Sequence, residues 1–503
     1  MSRIHMPSGR PTTRSLAASL LVSICLVAAV PQAGADEGAS PGAARDGNDY
    51  SDPEYAEHDL DNYTRARGRQ ITEPASPDYH QDFAGACADS SARAAAQQVN
   101  DIRSGRVYGG VGQATCWWSV GDAPAYYEVG QRRIHFLSRT GAKLQGHIWG
   151  AEAPGPRPGV VITTGSIQAS DQMYWWAARA LAARGYVVMT FDVQGQGQSE
   201  TFGHDPGSFT PTTEGVPSQQ AANFYDGTID ALRFFLSTPE DPYVPTGWSD
   251  EDVAASKAAA SDEHLDWVSP GWGALDRDNI GVAGHSLGAS AVSAVQQCSD
   301  EGDVWATLEL CGGRSFPIRA VVAWDALSDA DVIPVVPAMS QQADGYFLFP
   351  TLNPTAPDPN SSMGGYNLWN AAGMDVFMYV VRGGTHIEWS QVPYTSATTY
   401  GAAMNAYYTV AWMDRWVPND HRVRGAAFDA LLAGPVSDPA DPWSANHFSA
   451  RRYSAMTLHR PAGNSAPHGS PFVETTDIRA WAQRSPVGDW VGANADTQGR
   501  LIP

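Results

Sequence analysis

Basic side chains are in short supply in this chain: 32 Lys and Arg stand against 54 Asp and Glu, a formal net charge of -22. A phosphate backbone needs a cationic footprint, so nucleic acid is excluded as a partner class. Cysteine is scarce too, with 5 in 503 residues and no Cys-x-x-Cys pair, which argues against a thiolate metal site. Long hydrophobic runs are missing except near the start, where Leu16 to Val30 follows Arg3, Arg10 and Arg14 and precedes Ala33-Gly34-Ala35. That run is shorter than a spanning helix needs, and its flanks are those of a cleavable signal peptide. Residues 1–35 are therefore expected to be a leader, the chain to be secreted, and the mature part to carry no integral membrane span. The bulky Ile24 before Cys25 argues against a lipid-anchored cysteine. Internal repeats are absent, and the acidity reads as solubility.

Four cysteines remain after the leader. An even number in an exported chain points to disulfides, and proximity favours Cys87 with Cys116 and Cys298 with Cys311.

The 43% apolar content can fill a large core. Residues 36–125 have only weak helical patterning, near Ser90 to Val99, and read as an extension, disordered at its start. From residue 126 short apolar runs alternate with helical patterns. Arg133 to Leu137 and Leu144 to Trp149 flank a Thr140-Gly141 hairpin; Val160 to Thr164 is a buried strand, Tyr174 to Ala183 a helix and Tyr186 to Phe191 a strand. Gln219 to Leu236 reads as a helix. Further strands fall at Ile280 to Ala283, Ile318 to Trp324, Val335 to Ser340 and Val376 to Val381, and a helix runs from Tyr400 to Trp416. Alternation of this kind gives an α/β unit with a mostly parallel central sheet flanked by helices, over residues 126–417. Residues 418–503 show no clear period and are expected to be a C-terminal extension.

The chemistry concentrates at Gly284-His285-Ser286-Leu287-Gly288, between the strand ending at Ala283 and the helical run Ala289 to Gln297. A turn this tight pushes one serine outward, and glycines two residues to either side relieve the crowding. The helix start brings unpaired N–H groups and a positive dipole end near Ser286. A serine hydroxyl needs a base, and the base needs a carboxylate to orient it. His386 follows the strand-like MDVFMYVV and Gly383-Gly384-Thr385, at a sheet end where such groups gather. His285 is beside the serine, but the sharp turn should aim it elsewhere. The tetrahedral intermediate needs two N–H donors, of which Leu287 is one.

The elbow, together with Asp192-Val193-Gln194-Gly195-Gln196-Gly197-Gln198-Ser199, resembles the α/β-hydrolase family over roughly residues 133 to 416; the second stretch is similar to that family's D-x-x-G-x-G-x-S loop. The phrase DRDNIGVAGHSLG is similar to the dienelactone-hydrolase-like and polyester-hydrolase-like branches. The resemblance implies the chain order serine, acid, histidine. It places the acid at Asp344, after VVPAMS, with Asp325 or Asp329 after IRAVVAW as the alternative that some members use. It also implies a second oxyanion donor from Thr164-Gly165-Ser166-Ile167, at Ser166 or Ile167, where the family often carries His-Gly. A serine at 286 disfavours epoxide hydrolase and dehalogenase chemistry, and the acyl-enzyme route requires neither metal nor organic cofactor.

The expected activity is cleavage of a small-molecule or polymeric ester. A secreted peptidase with the same triad is the alternative, and a catalytically silent binding protein is a third reading. Roughly ten residues separate the strands at Trp324 and Val335, too few for a cap, so an open site is expected. Trp175, Trp176 and Trp389 could line its cleft, although aromatics near a sheet end are more often core. The insertion Ser237 to Leu275 could act as a partial lid.

Overall fold

The computed structural model describes residues 130–166, 170–210, 215–216, 220–260, 264–325, 327–343, 364–381, 386, 388–389, 399–433, 451–459 and 471–474. The expected leader, the extension over 36–125, the Cys87 and Cys116 pairing, Ile167 and Asp344 lie outside the described residues.

Ten strands among the described residues form one sheet in the order β1-β2-β4-β3-β5-β6-β7-β8-β9-β10. They are β1 (Gln131–Leu137), β2 (Lys143–Trp149), β3 (Arg157–Thr163), β4 (Val187–Phe191), β5 (Leu275–His285), β6 (Ile318–Trp324), β7 (Ala338–Ala343), β8 (Val376–Val381), β9 (Arg451–His459) and β10 (Pro471–Glu474). From β4 to β8 across the sheet every pairing is parallel, and antiparallel pairs close it at both sides.

The parallel part is apolar on both faces, as strands covered from two sides must be. Val161, Val282, Val321 and Met378 face one buried cluster, with Phe224, Leu232 and Val292 from helices above them. Val160, Ile162, Val322 and Phe377 face the other, against Trp175, Tyr408 and Trp412. This alternation follows from the two-residue period of a strand. The helices are α1 (Trp175–Arg184), α2 (Ala221–Phe235), α3 (Asp250–Ala259), α4 (Leu287–Val295), α5 (Gly364–Ala371), α6 (Thr399–Trp416) and α7 (His421–Ala433). Among the described residues none is long and apolar enough to cross a membrane.

Two expectations about organisation change. Residues 418–503 supply α7, β9 and β10, and β9 pairs along the whole of β8, so the sheet does not end near residue 417. The pairing buries Ala455, Met456 and Leu458, which is reason enough for a strand to form there. The insertion after Ser237 braces the β1 edge rather than roofing the elbow. Tyr243 Oη donates to Leu137 O, Trp248 Nε1 to Arg139 O, and His135 N to Asp266 Oδ2. In sheet order β1 stands four strands from β5, about 19 Å at ordinary strand spacing. Cys298 and Cys311 form a disulfide, as their proximity in sequence suggested.

Candidate active site

Ser286 connects β5 directly to α4, with φ 56° and ψ -120°. Few non-glycine residues adopt such a backbone, and it persists only where the surroundings hold it. Those surroundings are visible. Ser286 N donates to Trp324 O at 3.0 Å, and Ser290 N to Ser286 O at 3.0 Å. A Cβ at Gly284 would stand 2.3 Å from Gly288 O, and one at Gly288 would stand 2.4 Å from Thr164 O. Both glycines are thus required by close backbone approach: one lets the turn fold back on itself, the other lets it press against the end of β3.

His386 spans the site. Its Nε2 lies 2.9 Å from Ser286 Oγ, and its Nδ1 lies 2.6 Å from Asp325 Oδ2. With a carboxylate on Nδ1, that nitrogen carries the proton, and Nε2 is left to accept from the serine O–H. Ser286 is half-buried, and the His386 and Asp325 side chains are 22% and 21% exposed, so solvent reaches the group.

Among the described residues the carboxylate on His386 is therefore Asp325, the alternative that the resemblance offered; Asp344, its first choice, lies outside them. The single Nδ1 proton of a neutral imidazole is taken by Asp325, directly after β6. Asp325 has φ 48°, a left-handed conformation that aspartate tolerates better than most residues, and its N donates to Gln341 O at 2.8 Å. Of the sequence candidates, then, Ser286, His386 and the alternative acid Asp325 are brought together.

Leu287 is the first residue of α4, where backbone N–H groups lack helical partners. Ser166 lies in the loop after β3, against which the elbow packs through Gly288. Gly165, just before it, is already engaged: its N–H donates to Tyr174 Oη at 3.1 Å. The Gly165 N–H is thus committed elsewhere, and Ser166 and Ile167 stay the candidates.

The aspartate of the D-x-x-G-x-G-x-S stretch has a positioning role. Asp192 Oδ1 accepts from Asp171 N at 2.6 Å and Oδ2 from Gln198 N at 2.7 Å, so one carboxylate ties the loop after β4 to the segment that follows the β3 loop. A Cβ at Gly197 (φ 49°) would lie 2.3 Å from Asp192 Oδ2, so only glycine fits there. Ser199 Oγ donates to Asp192 O and accepts from Gln145 N, fastening the loop to β2.

The three tryptophans offered as cleft lining belong to the core. Trp175, Trp176 and Trp389 are 2%, 8% and 0% exposed. Trp176 Nε1 donates to Trp389 O, and Trp389 Nε1 to Gln341 Oε1, so they clamp the chain just after His386. His285 is the residue whose part the sequence left undefined. It is 3% exposed and its pKa is lowered to about 3, chiefly by burial and then by the neighbouring His386. It is a neutral ring beside His386. Among the described residues no cluster of His, Cys, Asp and Glu has the grouping of a metal site.

No family model matches the chain, and comparison with curated proteins gives no match.

Proposed function

We propose that the chain is a secreted serine hydrolase of the α/β-hydrolase fold that cleaves carboxylic esters through an acyl-enzyme intermediate. One observation carries this: His386 joins the Ser286 hydroxyl to the Asp325 carboxylate. The six adjacent parallel strands with the serine at the end of β5 support the fold assignment.

In this reading Ser286 Oγ attacks the ester carbonyl while its proton passes to His386 Nε2. Asp325 stabilises the imidazolium and holds the ring. The negative oxygen of the tetrahedral intermediate is met by the Leu287 N–H and by a donor from Ser166 or Ile167. Collapse expels the alcohol, which takes the proton from His386. Water then attacks the acyl-enzyme with His386 as base, releasing the acid and restoring the serine. Among the described residues of the connection between β6 and β7, 325 and 327–337, there is no helix, which supports a site without a cap there.

The test is labelling by a fluorophosphonate together with turnover of nitrophenyl esters of graded acyl length. Both are expected for the unaltered protein, and both are expected to vanish in Ser286→Ala. Activity that survives that substitution would overturn the proposal, and faster turnover of peptide anilides would move the assignment to a peptidase.

A further inference from the structure

His285, Tyr174 and Gly165 form a chain of hydrogen bonds whose direction chemistry fixes. His285 Nε2 is 2.7 Å from the backbone carbonyl oxygen of His386. A carbonyl only accepts, so Nε2 carries the ring proton. His285 Nδ1 is then a lone pair, and Tyr174 Oη, 2.8 Å away, donates to it. The tyrosine oxygen in turn accepts the N–H of Gly165 at 3.1 Å. Every link has one possible sense, from the loop after β3, through the elbow, to the loop that carries the base.

The surroundings leave these groups little freedom. Tyr174 is 0% exposed and stacks on Trp324, the residue before Asp325, at 5.9 Å and 5° between rings. A Cβ at Gly165 would lie 2.9 Å from His285 Nδ1 and 3.0 Å from Tyr174 Oη, so glycine there admits the bridge. The His285 and His386 rings are 4.9 Å apart, where two cations would repel, and burial keeps His285 neutral.

Resting on the hydrolase reading above, we propose that Tyr174 and His285 are positioning residues that lock the oxyanion loop and the His386 loop to one another across the elbow. Neither touches the reacting atoms. They fix the distance between the base and the donors of the β3 loop, and small errors in that distance are costly: a misplacement of about 1 Å can lower a rate about 10²-fold. Ground-state binding depends far less on it, so the effect falls on kcat rather than on KM.

Two measurements on the full chain test this. Nitrogen-15 histidine spectra of the unaltered protein at pH 7 are expected to show His285 in the Nε2–H tautomer; an Nδ1–H tautomer or an imidazolium would overturn the bridge. In ester kinetics, Tyr174→Phe and His285→Leu are expected to lower kcat about tenfold or more with KM little changed. His285→Gln keeps an N–H for the His386 carbonyl and is expected to recover most of the loss. Unchanged kcat in both Tyr174→Phe and His285→Leu would overturn the positioning role. Absence of ester turnover in the unaltered protein would instead sink the hydrolase reading, and the tautomer would still decide the bridge.

Discussion

Two aspartate–histidine pairs in this molecule share one geometry and differ in almost everything else. His386 Nδ1 meets Asp325 Oδ2 at 2.6 Å, and His147 Nδ1 meets Asp171 Oδ2 at 2.6 Å. Beyond that contact they diverge. The first pair is about one-fifth exposed, and its outer nitrogen faces Ser286 Oγ; the second is 1% and 0% exposed, and its Nε2 is buried with no hydrogen-bond partner among the described residues. The Asp171 carboxylate also accepts from Thr190 Oγ1 and Trp175 Nε1. Burial alone would raise its pKa, but His147 and these donors hold it below the usual carboxylate range. An aspartate–histidine contact is thus not in itself a catalytic feature. What separates the pairs is the group at the far nitrogen and access for water, and the inner pair fastens the segment after the β3 loop to β2.

The sharpest way to break this comparison is to replace each aspartate by asparagine. In a serine–histidine–aspartate site the amide presents the wrong group to Nδ1 and lowers kcat by about 10⁴. On the proposed function, Asp325→Asn is expected to lose activity on that scale in ester kinetics, while Asp344→Asn stays close to the unaltered protein. The reverse ranking would show that His386 works with a different carboxylate.

Asp171→Asn should fail in another way. It withdraws a charge that offsets three donors in a dry interior, and breaking a buried pair of this kind costs about 3 kcal/mol. Urea denaturation is expected to show a loss of that order, with Ser286 still labelled by a fluorophosphonate under native conditions. A variant that is fully stable but unlabelled would mean that the inner pair takes part in the chemistry.

The elbow was legible because tight backbone packing leaves a trace in composition: glycines are needed at 284 and 288, where a Cβ would stand 2.3 and 2.4 Å from a backbone oxygen. β6 and β8 were legible for a similar reason, since strands buried on both faces are written as apolar runs, unbroken in VFMYVV and interrupted only by Arg319 in IRAVVAW, and their expected and observed limits coincide. The acid was harder. β6 and β7 are parallel neighbours in the sheet, so their C-terminal ends lie on the same rim about 5 Å apart. Nothing in sequence order says which carboxylate turns towards His386; the contact of Asp325 Oδ2 with His386 Nδ1 is made only in the fold. β9 escaped because its stabilisation comes from pairing with β8, some seventy residues earlier in the chain. A period read within a short window does not register a partner at that distance. The sharp turn was expected to aim His285 elsewhere than the serine, but its two partners come from residues 174 and 386 and only the fold brings them together.

The smallest expected effect concerns that third histidine, and its sign follows from proton counting. In the unfolded chain a histidine gains a proton near pH 6.5, whereas His285 in the folded protein stays neutral down to about 3. Between those values the unfolded state binds more protons, so stability falls as pH drops below 6.5 and is regained as pH rises. Between pH 7 and pH 5 this one group accounts for about 2 kcal/mol. Replacing it with glutamine, which does not titrate, should leave a shallower fall in Tm over that interval, measured against the unaltered protein in the same buffers. Identical slopes would mean that His285 takes up a proton inside the fold. The ring would then donate from both nitrogens, the Tyr174 O–H would lose its acceptor, and the base would sit beside a second cation.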